Sequence, residues 1–151
     1  MIALIQRVLE ASVVVDSHLV DMIGRGLLVL LGVRETDTEN DARYLAAKTI
    51  NMRIFSDENE KMNLSLLDTE FELLVVSQFT LHADTQHGNR PGFTDAADAE
   101  RANELYRFYI EECKNLLTID KVREGKFGAM MKVKLINDGP VTIILRSKND
   151  Y

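Results

Sequence analysis

The order of apolar and polar positions along the chain predicts a domain built mainly from β-strands. Residues 2–8, 12–16 and 18–24 are rich in β-branched and aliphatic side chains, a composition that favours strands. Residues 27–33 form a continuous apolar run that is short for a helix and typical of a strand buried on both faces. Another strong strand is predicted at 71–81. We therefore expect a sheet with its central strand near residue 30.

Apolar residues at helical spacing predict two helices. The first spans about 39–52 and follows residues 36–38, which offer capping side chains. Asp98 can cap a second helix, whose apolar stripe runs over residues 102–117 and includes Cys113. The remaining predicted strands are 53–55, 118–123, 131–136 and 141–146.

Two helices among about eight strands, several of them consecutive, predict the fold class. We expect an α+β fold in which a curved, barrel-like and mostly antiparallel sheet has two main helices packed on it. No segment has the composition of a linker, so we expect one domain over residues 1–151. A chain of this length buries about 68–70% of its unfolded surface, which is enough for a core of its own.

Composition and charge narrow the function classes. Hydrophobic residues make up 46% and charged residues 28%, the balance of a soluble globular protein. No apolar run approaches the roughly 20 residues of a membrane helix, no leader is visible, and the single cysteine forms no internal disulfide. We therefore expect a cytoplasmic protein without a membrane partner. The net charge of −6 argues against a broad nucleic-acid surface, so any RNA contact should be small and local.

Polar side chains interrupt the predicted strand 71–81 near its end. Alternation within a strand would place Gln78, Thr80 and His82 on one face, and Ser77 and Phe79 on the other. Thr80 is a candidate nucleophile or orienting hydroxyl. The Gln78 amide and the backbone N–H groups of Phe79 and Thr80 are candidate donors to a developing oxyanion. The segment alone favours a second interpretation, strand-end capping by local hydrogen bonds.

A metal site or a hydrolytic triad is a weaker hypothesis. His82, Asp84 and His87 match none of the compact zinc patterns, and no cysteine lies near them. Ser77 lacks the strained Gly-x-Ser-x-Gly turn of a nucleophile elbow. We expect neither a metal nor a cofactor.

One of only two prolines lies in Asn137-Asp138-Gly139-Pro140, between two predicted strands. Asp-Gly between alternating strands favours a hairpin turn, and only about 5–6% of X-Pro bonds are cis. From the residues alone we therefore predict a trans turn here.

Four segments together carry a family resemblance. They are Ile5-Gln6-Arg7-Val8, Ser77-Gln78-Phe79-Thr80-Leu81, Arg90-Pro91-Gly92-Phe93, and Asn137-Asp138-Gly139-Pro140-Val141-Thr142. In this order and spacing, over a chain of matching length, they resemble the D-aminoacyl-tRNA deacylases, also called D-tyrosyl-tRNA deacylases. Gly92, where the family usually has serine, and His87, where a basic residue is common, are departures within one loop.

The resemblance implies a homodimeric hydrolase with each active site at the subunit interface. Its partner would be the aminoacylated 3′ end of tRNA, from which it cleaves a D-amino acid or glycine, the latter mischarged on tRNA(Ala). The implied catalytic residues are Ser77, Gln78, Phe79 and Thr80. Gly139 and Pro140, joined by a cis bond, would reach into the other subunit's pocket to reject L-amino acids. Glycine lacks a Cβ and proline an N–H, so such a pair presents bare carbonyl oxygens and backbone bulk.

Two mechanisms and two other functions stay open. Either Thr80 is the acyl-accepting nucleophile, or water attacks in a backbone-lined site helped by the 2′-hydroxyl of the substrate. We favour water, because no general base adjoins Thr80 in the sequence. The other functions are a non-catalytic homodimeric module that binds RNA ends, and a deacylase acting chiefly on glycyl-tRNA.

Overall fold

The long strand β1 (Ile2–Val15) organises the sheet. The structure is a computed structural model, and it describes residues 1–147. The predicted strands 2–8 and 12–16 are joined in β1. Its first half pairs antiparallel with β3 (Gly26–Gly32), and its last part pairs antiparallel with β2 (His18–Ile23). One strand thus supports two partners in succession, which bends the sheet.

A second long strand, β8 (Lys132–Arg146), lies along the other edge of β1. The ladder runs from Ile2 opposite Arg146 to Val14 opposite Lys132, with register shifts around Val8. A hairpin would reverse the chain direction, whereas both halves of β8 are antiparallel to the same strand. The hairpin turn predicted at 137–142 is therefore wrong.

The remaining strands curl the sheet towards closure. β6 (Glu72–Ser77) is parallel to β3, and β7 (Val122–Glu124) is parallel to β6. The order is β2-β1-β3-β6-β7, with β8 paired to β1. An ion pair of 3.7 Å between Arg123 of β7 and Asp21 of β2 joins the two ends. The predicted α+β fold with a barrel-like sheet is confirmed.

Two short predicted strands differ in the structure. The strand expected at 53–55 is β4 (Phe55–Ser56), which forms a small separate hairpin with β5 (Met62–Leu64). In the strand expected at 118–123, Ile119–Lys121 is a 3₁₀ turn, and β7 begins only at Val122. Both segments are short, so the strand propensity of a few residues did not locate their ends.

The two predicted helices are present as α1 (Glu39–Asn51) and α2 (Ala99–Leu116). The Asp98 carboxylate accepts a hydrogen bond of 2.9 Å from the N–H of Arg101, as expected of a cap. The helices are joined by a buried hydrogen bond of 2.7 Å from the Tyr109 hydroxyl to Thr49. Cys113 is fully buried in α2, in agreement with its place in the apolar stripe. Neither helix in the described residues is long and apolar enough to cross a membrane.

The central strands are buried on both faces. Leu27 and Val29 of β3 belong to the core beneath the helices, whereas Leu28 belongs to a second core inside the curved sheet. Leu73 and Leu74 of β6 divide in the same way. Burial on both sides explains why these strands have no polar alternation. Polar residues appear again only at the carboxyl ends of these strands, where the burial ends.

Candidate active site

A cavity of about 570 Å³ lies where β3 and β6 end and α2 begins. Parallel strands bring their carboxyl ends to one edge of a sheet, so the residues that follow them converge there. The cavity is lined by residues from β3, β6, α2, β8 and the segment before β8: Leu31, Val33, Val76, Ser77, Gln78, Phe79, Thr80, Ala97, Ala99, Ala102, Tyr106, Phe127, Gly128, Ala129, Met130, Met131 and Val133. The four predicted catalytic residues are all in its wall.

The segment from Ser77 to Thr80 turns instead of continuing as a strand. β6 ends at Ser77, and Phe79–His82 is a 3₁₀ turn. The N–H of Gln78 donates the last hydrogen bond to β3, at 2.8 Å from the Leu31 carbonyl oxygen, and the Gln78 carbonyl then accepts from the N–H of Leu81. The predicted strand 71–81 is thus too long. The alternation of faces predicted beyond Ser77 is wrong, because the turn replaces it.

This turn begins with backbone donors that have no acceptor in the described part of the chain. The N–H groups of Phe79 and Thr80 make no hydrogen bond within residues 1–147, as expected for the start of a helical turn. The Gln78 side-chain amide donates to the Thr80 hydroxyl oxygen at 2.5 Å. Two main-chain donors, an amide and a hydroxyl are therefore grouped at the cavity wall.

Among residues 1–147, no base lies beside Thr80. Across the described part of the chain, its side chain is bonded to the Gln78 amide and to no imidazole or carboxylate. An amide cannot remove a proton from a hydroxyl group at neutral pH. The arrangement supplies donors for an oxyanion and lacks the base that an activated threonine nucleophile requires.

The rest of the cavity wall is largely apolar. Tyr106 packs on Phe127 with ring centroids 5.6 Å apart, and its hydroxyl donates to the Val75 carbonyl at 2.9 Å. Burial raises the pKa of Tyr106, so its hydroxyl stays neutral. Phe79 and Phe93 form an edge-to-face pair with centroids 5.0 Å apart. An apolar wall with a few converging polar groups is typical of a small-molecule or nucleoside site.

The structure separates the histidines considered as ligands. His82 is buried, and a Cβ at Gly32 of β3 would lie 3.1 Å from its ring. His87 is exposed in a loop, 3.7 Å from Asp84. Residues 1–147 contain no group of three side chains suited to hold a metal ion.

Gly139 and Pro140 lie exposed on β8, and the peptide bond between them is cis. The cis bond implied by the resemblance is thus confirmed. Arg7 of β1 donates hydrogen bonds to two carbonyl groups near this pair. Its Nε donates to the carbonyl of Asp138, the residue before Gly139, at 3.0 Å, and its Nη1 donates to the Ile54 carbonyl at 2.6 Å. Asn137 bridges the register shift of β8, since its side-chain oxygen accepts a hydrogen bond from the N–H of Val141 at 2.7 Å.

One chain does not bring Ser77–Thr80 and Gly139-Pro140 together. Neither Gly139 nor Pro140 belongs to the wall of the cavity that Ser77–Thr80 line. Within the described residues β8 pairs with β1 alone, so its outer edge is open. Three apolar side chains of this strand are exposed: Leu135, Ile136 and Ile144. The two segments meet only if a second molecule supplies one of them.

Sequence reasoning missed several residues of the site. Tyr106 and Phe127 meet only because α2 and the segment after β7 lie over the same strand end, and their separation in the sequence carries no signal. Arg7, which entered the sequence reasoning only within a segment of the resemblance, did carry a signal, because it is a charge inside an apolar strand. Its side chain is only 11% exposed.

The cavity wall thus combines main-chain donors, an amide and a hydroxyl with apolar side chains, a combination typical of a ligand-binding site. The sequence profile of the family described as D-Tyr-tRNA(Tyr) deacylase matches residues 4–146. The chain belongs to this family.

Relatives match the chain over nearly its whole length. It is 51% identical over 149 residues to the D-aminoacyl-tRNA deacylase of Thermosipho melanesiensis, covering 99% of both chains. It is 56% identical over 147 residues to that of Dehalococcoides mccartyi, covering 97% of this chain and 95% of the relative. A solved structure of the c-Myc DNA Unwinding Element Binding Protein superposes with a TM-score of 0.93 at 41% identity, covering 97% of this chain and 99% of that one.

Proposed function

We propose that this chain hydrolyses the ester bond of D-aminoacyl-tRNA and releases the free D-amino acid and tRNA. Family membership supports the reaction class, and the unpaired N–H groups of Phe79 and Thr80 at the cavity wall are the observation that carries the mechanism. Its partner is therefore the aminoacylated 3′ end of tRNA. We place the protein in the cytoplasm, where aminoacyl-tRNA is made and used.

The ester is already activated, so the site has to position it and stabilise charge. Water attacks the carbonyl carbon, and the negative charge that develops on the carbonyl oxygen is received by the N–H groups of Phe79 and Thr80. The Gln78 amide keeps one N–H beyond its bond to Thr80 and adds a third donor. The bond to the ribose 3′ oxygen then breaks, and that oxygen takes up the proton that the water loses. The neighbouring 2′-hydroxyl of the substrate relays this proton.

The hydroxyl of Thr80 orients Gln78 in this mechanism and does not attack. Replacing it in Thr80→Val keeps the shape and both main-chain donors, so we expect kcat for D-Tyr-tRNA to fall by about tenfold, the effect of removing one hydrogen bond. Thr80→Ser is the matched control and should retain activity. Loss of many orders of magnitude in Thr80→Val, with fold and tRNA affinity intact, would show that Thr80 is the nucleophile.

Ser77 lies at the end of β6 and lines the same wall. We propose that it helps to fix the turn and contacts the substrate, whereas the oxyanion donors come from the residues after it.

Single-turnover hydrolysis of D-Tyr-tRNA against L-Tyr-tRNA separates this enzyme from a non-catalytic module that binds RNA ends, because such a module would cleave neither.

Chiral selection is assigned to Gly139 and Pro140 of a second copy in a homodimer. Both residues are exposed, both lie outside their own chain's cavity, and the strand that carries them has an open edge with exposed apolar side chains. Their carbonyl oxygens can accept hydrogen bonds from the α-ammonium group, while their backbone fills the space that an L side chain needs. A selector made of main-chain atoms therefore discriminates between D and L amino acids whatever their side chain is.

Mixing two variants tests the shared site. Ala102→Trp fills the cavity and should cleave neither ester, whereas Pro140→Ala should cleave D-Tyr-tRNA and gain activity on L-Tyr-tRNA. After subunit exchange with excess Ala102→Trp protein, the open cavity faces an intact Gly139-Pro140, so L-Tyr-tRNA hydrolysis should decrease while D-Tyr-tRNA hydrolysis persists. Unchanged hydrolysis of L-Tyr-tRNA, or a monomer by sedimentation, would contradict the shared site.

Glycine has no side chain for such a selector to exclude. We therefore propose glycyl-tRNA mischarged on tRNA(Ala) as a second substrate. Parallel assays of Gly-tRNA(Ala) and D-Tyr-tRNA with the unmodified protein test this, and Gly-tRNA(Ala) that is as stable as L-Tyr-tRNA would refute it.

A further inference from the structure

A second cavity, of about 530 Å³, adjoins the candidate active site. It lies between β2, α2 and the segment after β7. Its wall includes Val20, Asn103, Arg107, Glu124, Lys126 and Phe127. Phe127 also lines the active-site cavity, so the two spaces are adjacent at this residue.

The cations in this wall are available to a ligand. Arg107 and Lys126 are exposed, and neither is ion-paired within residues 1–147. The carboxylate of Asp21, which also borders the cavity, already faces Arg123 at 3.7 Å. Among the described residues of the wall, only Glu124 remains as an acidic group without a cation. A guanidinium and an ammonium group of this kind suit the oxygens of a phosphodiester.

The other walls suit a nucleobase. The side-chain amide oxygen of Asn103 is buried and has no hydrogen-bond partner in the described residues. A buried acceptor without a donor costs free energy, and the amino group on a base edge would supply that donor. Val20 and Phe127 add apolar surface against which the flat face of a base can pack.

We propose that this cavity holds the nucleotide that precedes the terminal adenosine of the tRNA substrate. The inference rests on the proposed function, since it places the terminal adenosine and its ester in the first cavity. Consecutive nucleotides are joined by a single phosphodiester, and the two cavities adjoin each other at Phe127, which lines both. Arg107 and Lys126 bind the phosphate, and Asn103 contacts the base. The small size of the basic group agrees with a protein of net charge −6 that binds only the end of an RNA strand.

Shortening the substrate separates this subsite from the catalytic cavity. We expect Arg107→Gln and Lys126→Gln each to lower kcat/KM for D-Tyr-tRNA about tenfold, as for one charged hydrogen bond. Activity on adenosine esterified with D-tyrosine, which lacks the preceding nucleotide, should stay within about twofold. The slope of log kcat/KM against log salt concentration should become shallower by about 0.7 for each phosphate of the single strand that the variant no longer neutralises.

Lys61→Gln is the matched control, because Lys61 is exposed and lines neither cavity. It should leave both substrates unaffected. The subsite is overturned if the double variant Arg107→Gln/Lys126→Gln retains full activity on D-Tyr-tRNA, or if it loses equal activity on the tRNA and on the adenosine ester.

Binding of a labelled RNA oligonucleotide that ends in CCA and carries no ester tests the subsite without catalysis. Fluorescence anisotropy should show about tenfold weaker binding for Arg107→Gln and for Lys126→Gln. An unmodified protein that binds the oligonucleotide through these residues but cleaves neither ester would refute the proposed hydrolase function and retain the subsite. Unchanged affinity in the double variant would refute the subsite.

Discussion

Replacing Gly139 of the candidate selector with alanine should destabilise the fold, because the added methyl group meets both an unfavourable backbone angle and a neighbouring side chain. Its φ of +135° is one that L side chains rarely adopt, and a Cβ there would lie 2.8 Å from a methyl carbon of Val141. The backbone conformation costs on the order of 1–3 kcal/mol for a residue other than glycine. The crowding adds a further cost of about 1–3 kcal/mol. Gly139→Ala should therefore lower the free energy of unfolding by about 2–6 kcal/mol.

Two comparison variants separate these costs in urea or thermal unfolding. Gly88 also has a positive φ, +70°, but a Cβ there meets nothing within 4 Å, so Gly88→Ala should lose only about 1–2 kcal/mol. Adding Val141→Ala to Gly139→Ala removes the crowding methyl and should recover part of the loss. Equal unfolding free energies for Gly139→Ala and Gly88→Ala would refute the crowding that we infer around Gly139.

Three further predictions concern the core and its charges. Tyr109→Phe should cost about 1–2 kcal/mol in chemical unfolding, because it leaves the buried Thr49 hydroxyl without its donor, and adding Thr49→Val should cost less than the sum of the single changes. Burial raises the pKa of Asp41, but hydrogen bonds from Thr38 and Ser147 together with the positive charge of the N-terminus outweigh it and lower the pKa overall. Its stabilisation is therefore present above about pH 4 and is lost as the pH falls through the folded-state pKa, so Asp41→Asn should be less stable at pH 7 and its stability should depend less on acid. Burial raises the pKa of the Cys113 thiol, so a thiol reagent should react with it only at the rate of unfolding, and rapid labelling of the native protein would contradict its burial.

Much of the fold followed from local pattern. The helices have apolar stripes and capping residues, and both were predicted within a few positions of their observed ends. The apolar run in β3 was correctly placed at the centre of the sheet, since burial on both faces removes polar alternation. Where local signals conflicted with pairing, the prediction failed. Asp138-Gly139 indicates a turn by itself, yet the strand continues past this irregularity and pairs with β1 on both sides of it.

The candidate site depended on the sequence in a different way. The types of residue at 77–80 and at 139–140 indicated chemistry and, through the family resemblance, a reaction. Their geometry was not local information. Whether Gln78 contacts Thr80 through a strand face or through a turn depends on where β6 leaves its neighbour, which is a property of the sheet.

The sequence by itself determined the α+β composition, the buried central strands, the two helices and the two segments that carry the family's chemistry. These are encoded in the period of apolar residues and in residue types, which act over a few positions. Only the tertiary structure decided that β8 is one strand, that Ser77–Thr80 wrap the end of β6, and that Gly139 and Pro140 lie outside their own chain's cavity. These outcomes depend on strand pairing between distant residues, whose energy no local window contains.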